Sequence, residues 1–280
     1  MEQYEPVAWA EELTGPARAS DHPRLPELYV MAAQCHVAGR IDDALAYARD
    51  GERAIASGRF NQVRYELEAS LSGVYSAKGE TEQWVELCRK MIARWPHVRT
   101  YALARLVLAL VVADAGDEAM AASESLLAAA DAIDNPHAVS VALFAYGLAR
   151  RDSDPVAAYD VHRRGLRFTQ DSGNRQSESN LAASLSMLAV TLGDPMDALD
   201  YITLAIRNHY DSGSFSLLSQ PLAVLATLFD QLGRYEPAAT ISRFASTPFT
   251  RTALPEIDTA SAHLRDVLCD QSLRIARPPG

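Results

Sequence analysis

The sequence predicts an all-α fold, an array of stacked helix pairs, and three observations support this. Alanine and leucine dominate a hydrophobic content of 48%, whereas β-branched runs and alternating apolar patterns are scarce. Small turn residues recur at a nearly constant interval. The side chains around each turn residue also repeat in size. Because such an array grows by adding repeats, a length of 280 residues requires no division into compact domains.

The interval is visible in two copies of Asp-Ser-Gly, at 171–173 and 211–213, and the same offset aligns Leu185 with Leu225. Extending this register gives a column of small residues: Gly39, Gly79, Gly116, Ser153, Gly193 and Gly233. Glycine ends a helix in the left-handed conformation without the steric penalty of a Cβ atom. The column therefore predicts the turn between the two helices of each pair.

Side-chain size follows the same column. Five residues after the turn residue, alanine recurs in every pair except the second, which has tryptophan: Ala44, Trp84, Ala121, Ala158, Ala198 and Ala238. Twelve residues after it, small residues again dominate: Gly51, Met91, Ala128, Gly165, Ala205 and Ala245. Small side chains allow two helices to approach closely. The pattern is typical of a TPR-like α-α superhelix, a solenoid of about six helical hairpins.

Capping signals set the boundaries. Asp154-Pro155 and Asp194-Pro195 each place an N-cap aspartate before a proline at the first helical position. We predict helix pairs at 24–56, 60–94, 98–132, 136–170, 175–209 and 215–246. The predicted domains are thus a partial N-terminal repeat at 1–22, six TPR-like pairs within 23–246, and a capping helix with a frayed tail at 247–280.

The N-terminal segment is predicted to be a lone second helix at 5–18. Tyr4-Glu5-Pro6 matches Tyr235-Glu236-Pro237, which begins the second helix of the sixth pair. Terminal repeats of such arrays usually carry a polar cap, which the N-terminal end lacks. We therefore expect the chain to begin inside a larger array or to belong to a larger protein.

Charge and composition exclude several classes of protein. A net charge of −10 and a pI near 5.2 argue against a nucleic-acid surface, which needs clustered Lys and Arg. The sequence predicts no membrane span and no signal peptide. Cys35, Cys88 and Cys269 lie far apart and are expected to be reduced thiols. A cytoplasmic location is the expectation.

Catalytic signatures are also missing from the sequence. It contains no phosphate-binding loop, dinucleotide fingerprint, nucleophile elbow or HExxH motif. The seven histidines are scattered, without the spacing of metal ligands. We therefore expect no catalytic residue, no metal, no cofactor and no enzymatic activity. An enzyme hidden in an all-α array is the weakest of the alternatives considered.

The inner surface of the array is the candidate binding site, because the first helices of stacked hairpins line it. Counting back 13, 10, 6 and 3 residues from each turn predicts the groove positions, which in the fifth and sixth pairs include Val190, Ala223 and Thr227. The predicted groove is formed by Leu106, Leu110, Leu143, Arg150, Asn180, Met187 and Gln220. The leucines and Met187 would form an apolar floor, and Arg150, Asn180 and Gln220 polar points. Burial of the leucines by close packing is the alternative, which helical period cannot exclude.

Several stretches carry a resemblance to a known family: residues 5–13, 84–92, 200–214, 235–241 and 263–268. They resemble the C-terminal TPR-like region of large actinobacterial, especially mycobacterial, signalling ATPases. Those proteins combine an adenylate-cyclase-like domain, a STAND-type AAA ATPase similar to the maltose-regulon activator, this helical array and, in some members, a LuxR-type helix-turn-helix. The chain has no residues to receive the cyclase, ATPase or DNA-binding activities, and residues 271–280 depart from the family pattern. The resemblance implies a regulatory arm.

Two functions follow as expectations. The first is a non-catalytic TPR-like sensor module in a signalling ATPase or transcription-regulator context, binding a protein or peptide partner. The expected partners include an ATPase or cyclase domain, either in the same protein (in cis) or in another protein (in trans). Binding of a small ligand is also expected. The second is a free-standing scaffold that recruits a peptide. Neither requires direct nucleic-acid or membrane contact.

Overall fold

The computed structural model describes residues 5–275 apart from 62, 96–98, 214, 248–249, 252–253 and 255. The described residues form helices and connecting turns, with no strand among them. The helices are α1 Glu5–Ala19, α2 Leu25–Ala32, α3 Ile41–Ala56, α4 Tyr65–Lys78, α5 Thr81–Arg94, α6 Arg99–Val112, α7 Gly116–Ser123, α8 Leu126–Asp131, α9 Pro136–Arg150, α10 Pro155–Ser172, α11 Arg175–Leu192, α12 Pro195–Asp211, α13 Ser219–Gln231, α14 Tyr235–Ala245 and α15 Glu256–Ile275. Short 3-10 segments, Ala33–Ala38 and Phe215–Leu218, follow α2 and precede α13. The predicted all-α class with paired helices is confirmed.

The chain divides into two compact units. The first comprises residues 1–133 with 213–216, and its helices are α1 to α8. The second comprises 134–212 with 217–280, and its helices are α9 to α15. Within each unit, helices that follow one another in the chain pack together, as expected when each hairpin buries its apolar faces against its neighbours.

The predicted helix ends are found in the second unit. The Asp154 carboxylate accepts a hydrogen bond from the Ala157 amide at 3.0 Å, and the Asp194 carboxylate accepts one from the Asp197 amide at the same distance. Each cap satisfies a backbone N–H that the first helical turn leaves unpaired. The predicted N-caps of α10 and α12 are confirmed.

Four glycines of the turn column have a left-handed backbone, with φ between 70° and 85°: Gly39, Gly79, Gly193 and Gly233. The third pair differs. There Asp114, with φ of 57°, takes the left-handed conformation, and Gly116 is the first residue of α7. The assignment of Gly116 to the turn was therefore wrong by two residues.

The error in the third turn shifts every position that was counted from it. The expected small contacts Ala121 and Ala128 are exposed, while Ala119 and Leu126 are fully buried. Ala119 and Leu126 lie five and twelve residues after Asp114, as the column requires. The second helix of this pair is also interrupted between α7 and α8. The repeat is therefore present, in a register set by Asp114.

Close contacts in the second unit depend on small residues. A Cβ atom placed on Gly147 in α9 would lie 2.2 Å from Nε2 of His162 in α10, so only glycine fits this crossing. The buried core of α10, α11 and α12 includes Leu166, Leu181 and Leu185. Leu225 is partly buried, whereas its repeat equivalent Leu185 is completely buried.

Candidate ligand-binding cavity

The second unit contains a cavity of about 270 Å³, here called the α11–α13 cavity. Its walls come from the turn between α9 and α10, the start of α10, the second half of α11, residues 223–231 of α13, and the segment that leads into α15. The lining residues are Arg151, Asp152, Pro155, Met187, Val190, Thr191, Ala223, Val224, Thr227, Gln231, Leu254 and Glu256.

Helical spacing explains why these side chains converge. Met187, Val190 and Thr191 are separated by three or four residues and therefore share one face of α11. Ala223 and Thr227 do the same on α13. Apolar lining from two adjacent helices, with a few polar groups at fixed points, is the usual composition of a small-ligand site.

Arg151 is the cationic side chain in the lining of the cavity. Its side chain is 13% exposed, and its Nε donates a hydrogen bond to Oδ1 of Asp152 at 3.1 Å. A guanidinium carries five N–H donors in a planar fork that matches a carboxylate or phosphate. Arg151 therefore has the chemistry to hold an anionic group.

Two threonines line the apolar part. Thr227 donates its hydroxyl proton to the Ala223 carbonyl at 3.2 Å, and Thr191 donates to the Met187 carbonyl at 3.1 Å. Their hydroxyl oxygens retain lone pairs that accept hydrogen bonds. Besides Arg151, the lining includes two carboxylates, Asp152 and Glu256, so the cavity combines one cation, two anions and weak acceptors with its apolar side chains.

Most of the groove residues predicted from the sequence lie outside this cavity. Met187 lines it. Leu106, Leu110 and Leu143 are buried, with 7%, 1% and 0% exposure, so their side chains belong to the core and not to a groove floor. Their burial agrees with the alternative of close packing. For Leu106 and Leu110 the register error at Gly116 contributes, because both positions were counted from that residue.

The predicted polar points do not line the cavity either. Arg150 stacks over the ring of Tyr146 at 4.0 Å, one helical turn earlier in α9. The next residue, Arg151, reaches the cavity instead. Asn180 and Gln220 are half-buried near the starts of α11 and α13, whereas the cavity is lined by residues 187–191 of α11 and 223–231 of α13.

The segment that leads into α15 covers part of the surface formed by α11 and α13. Leu254 is 4% exposed and packs in the same core as Ile202 and Leu228. Leu254 and Glu256 form one wall of the cavity. Sequence reasoning missed this wall because Leu254 lies after the last repeat, outside the register. Val190, Ala223 and Thr227, by contrast, occupy groove positions that the register assigns.

Buried titratable groups in each of the two units are neutral at neutral pH. Burial lowers the pKa of His162 to about 4, against an ordinary value near 6.5, and its Nε2 donates to the Phe144 carbonyl at 3.0 Å. Burial likewise raises the pKa of the Cys35 and Cys88 thiols to about 11. Among the described residues no cluster of His, Cys, Asp or Glu has the arrangement of a metal site. In the same part of the chain, no helix combines the length and apolarity that crossing a bilayer requires.

Comparison with solved structures shows a similar fold. The chain is similar to a Rap protein whose crystal structure is described as a complex with competence and sporulation factor, with a TM-score of 0.60 and 13% sequence identity. The similarity covers 91% of this chain and 81% of the Rap chain. No protein-family model and no curated protein matches the sequence. At this identity the comparison establishes the TPR-like helical-repeat fold.

Proposed function

We propose that this chain is a non-catalytic regulatory module that binds a peptide, or a small molecule of similar chemistry, in the α11–α13 cavity. The ligand has an anionic group for Arg151 and an apolar body for Met187, Val224 and Leu254. Binding would be read out by a protein partner in a signalling ATPase or transcription-regulator context, in cis or in trans. The observation that carries the proposal is a cavity whose lining combines apolar side chains of α11 and α13 with the Arg151 guanidinium.

Two further observations support it. The structure of the Rap protein of similar fold is described as a complex with competence and sporulation factor, which supports a binding role for an array of this kind. The resemblance to the arms of actinobacterial signalling ATPases points to the same regulatory role. A free-standing scaffold would use the same fold, but a peptide-recruiting scaffold does not need a cavity with apolar side chains and a guanidinium in its lining.

The size of the cavity limits the ligand. About 270 Å³ lies slightly below the usual range for drug-sized molecules, roughly 300–1,000 Å³. The cavity therefore accommodates the carboxyl-terminal residues of a peptide, or a compact organic anion, with the remainder outside.

The probe for a first test is 1-anilinonaphthalene-8-sulfonate, which joins an apolar body to one anionic group. Saturable fluorescence enhancement is expected at one site. Arg151→Gln should raise its dissociation constant about 10- to 150-fold, the equivalent of one lost hydrogen bond to a charged group, about 1.5–3 kcal/mol. Arg150→Gln is the matched control, since Arg150 lies outside the cavity, and should leave the constant unchanged.

A second arm tests the peptide assignment. A pool of short synthetic peptides with free carboxyl ends is compared with the same pool amidated, and the free acids should be retained preferentially. Equal retention of both pools, or equal effects of Arg151→Gln and Arg150→Gln, would refute the cavity as the site. The absence of catalysis is tested separately. Saturable nucleotide turnover that persists through purification would refute that part of the proposal.

A further inference from the structure

The first described helix, α1, has an unusual exposed surface. It packs on α2 and the following 3-10 segment with small residues, Ala10, Thr14 and Ala17. Trp9 and Leu13, one helical turn apart, are 60% and 52% exposed. Glu5 and Glu12 are exposed beside them on the same helix. The surface formed by Glu5, Trp9, Glu12 and Leu13, here called the α1 stripe, is apolar with an acidic margin.

The last two helices have a complementary surface. An open groove of about 1030 Å³ lies between α14 and α15. Its lining, here called the α14–α15 groove, is Ala239, Ser242, Arg243, Ser246, Arg251, Asp258, Ser261, Leu264, Arg265, Leu268 and Cys269. Three arginines face one aspartate in this set, so the groove is basic along its rim and apolar at Leu264 and Leu268.

The repeat shows what occupies such a groove inside the array. Tyr159 on α10 lies six residues after the turn position 153, and Ala239 on α14 lies six after Gly233. Tyr159 donates a hydrogen bond to Asp197 of α12 at 3.0 Å and packs edge-on against Tyr201 of α12. The second helix of the fifth pair, α12, therefore packs against α11 and lies beside α10. By the same repeat, a further second helix would pack against α15 and lie beside α14, which is the position of the α14–α15 groove.

We propose that α1 of a second copy of this chain packs in the α14–α15 groove. α15 contacts α13 and α14 as the first helix of a further pair would. α1 is a second helix in sequence, since Glu5-Pro6 matches Glu236-Pro237 at the start of α14. Each of these two helices thus supplies the member of a helix pair that the other lacks among the described residues.

Charge and polarity favour this occupant. Glu5 and Glu12 would face the rim formed by Arg243, Arg251 and Arg265, whereas an α15 from another copy would bring arginines against arginines. Trp9 and Leu13 would contact the apolar side chains at the base of the groove. Exposed tryptophan of this kind is a frequent anchor of protein interfaces.

The two surfaces are different, so the contact is heterologous. A pair of copies still has one unused α1 stripe and one unused groove, and association continues to larger species as concentration rises. Part of the attraction is between exposed charges, so added salt should weaken it. The continued growth separates this contact from a two-fold symmetric dimer, which stops at two copies.

The test is sedimentation velocity of the full chain over a range of micromolar concentrations. The unmodified protein should give a weight-average mass that increases with concentration. Trp9→Glu with Leu13→Glu, or Arg243→Glu with Arg265→Glu, should raise the dissociation constant about tenfold or more. All four side chains are at the surface, and circular dichroism verifies that each variant is folded.

Mixing the two double variants gives the decisive result. The α1-stripe variant keeps an intact groove, and the groove variant keeps an intact α1 stripe, so the mixture should form a one-to-one dimer and nothing larger. Matched controls at exposed positions outside both surfaces, Met196→Glu and Arg207→Glu, should associate like the parent. A monomeric parent at every concentration, or a mixture that stays monomeric, would overturn the proposal.

Discussion

The third and fifth helix pairs have the same repeat, yet their second helices differ in regularity. In the fifth pair, Gly193 is left-handed, Asp194 caps α12, and α12 continues unbroken for 17 residues. In the third pair the left-handed residue is Asp114, and the second helix is split into α7 and α8. A glycine near a turn therefore locates the repeat approximately. The register is fixed by whichever residue of the turn takes the left-handed conformation.

Acid should distinguish the third pair most strongly from the fourth and fifth. Burial lowers the pKa of His162 in α10 of the fourth pair and of His209 in α12 of the fifth pair to about 4, whereas the third pair, 99–131, contains no histidine. The unfolded histidines, with a pKa near 6.5, bind protons that the folded ones do not. The contribution of these histidines to the free energy of unfolding is therefore complete above about pH 6.5. It declines as the pH decreases towards 4, by about 3 kcal/mol for each histidine.

Hydrogen exchange at neutral and acid pH measures this locally. Protection in α9 to α12 should decline before that in α6 to α8. His209→Gln, whose side chain does not titrate, should remove about half of the pH dependence. Equal decline in both regions would show that acid acts through other groups.

Core substitutions should give the next largest effect. Leu185 is completely buried in α11, so Leu185→Ala should cost about 2–5 kcal/mol. Its repeat equivalent Leu225 is only partly buried, and Leu225→Ala should cost less, about 1–2 kcal/mol. Chemical denaturation of both variants provides the comparison. Equal costs would mean that sequence register, and not burial, determines the energetics of the column.

The corrected register of the third pair is tested by adding volume. Ala119 has no exposed surface, so Ala119→Leu should destabilise the pair by about 1–3 kcal/mol through overpacking. Ala121 is exposed, and Ala121→Leu should stay within about 0.5 kcal/mol of the parent. The original register requires the opposite order. Hydrogen exchange in α6 and α7 of the two variants distinguishes the two registers.

Local signals were the most predictable part of this molecule. The aspartates that cap α10 and α12 act through bonds spanning three residues, so the sequence alone was sufficient to find them. The role of Arg150 was not predictable in this way. Whether it or Arg151 faces the cavity depends on the rotation of α9, which is set by packing on α10 and α11. The wall at Leu254 depends on a segment outside the repeat, for which periodicity contains no information.

Burial of the leucines shows a second limit. Leu110 and Leu143 occupy positions that helical spacing allows either in a groove or in the core. Which of these applies depends on how closely neighbouring helices approach. That distance is set by contacts such as Gly147 against His162, between residues that are 15 positions apart. The α11–α13 cavity lies where the second half of α11 and residues 223–231 of α13 leave space beside Met187.

The smallest effect should come from replacing each of two glycines with alanine, which adds a single methyl group. No atom lies within 4 Å of a Cβ placed on Gly193 or on Gly116, so sterics with neighbours do not contribute at either site. Gly193 has φ of 85°, and Gly193→Ala should destabilise by about 1 kcal/mol because alanine disfavours the left-handed region. Gly116 is the first residue of α7 and its φ is not positive, so Gly116→Ala should stabilise by about 0.4–1 kcal/mol through lower entropy of the unfolded chain. Denaturant melts of the two variants should thus shift in opposite directions, and a shared direction would contradict the assignment of the third turn to Asp114.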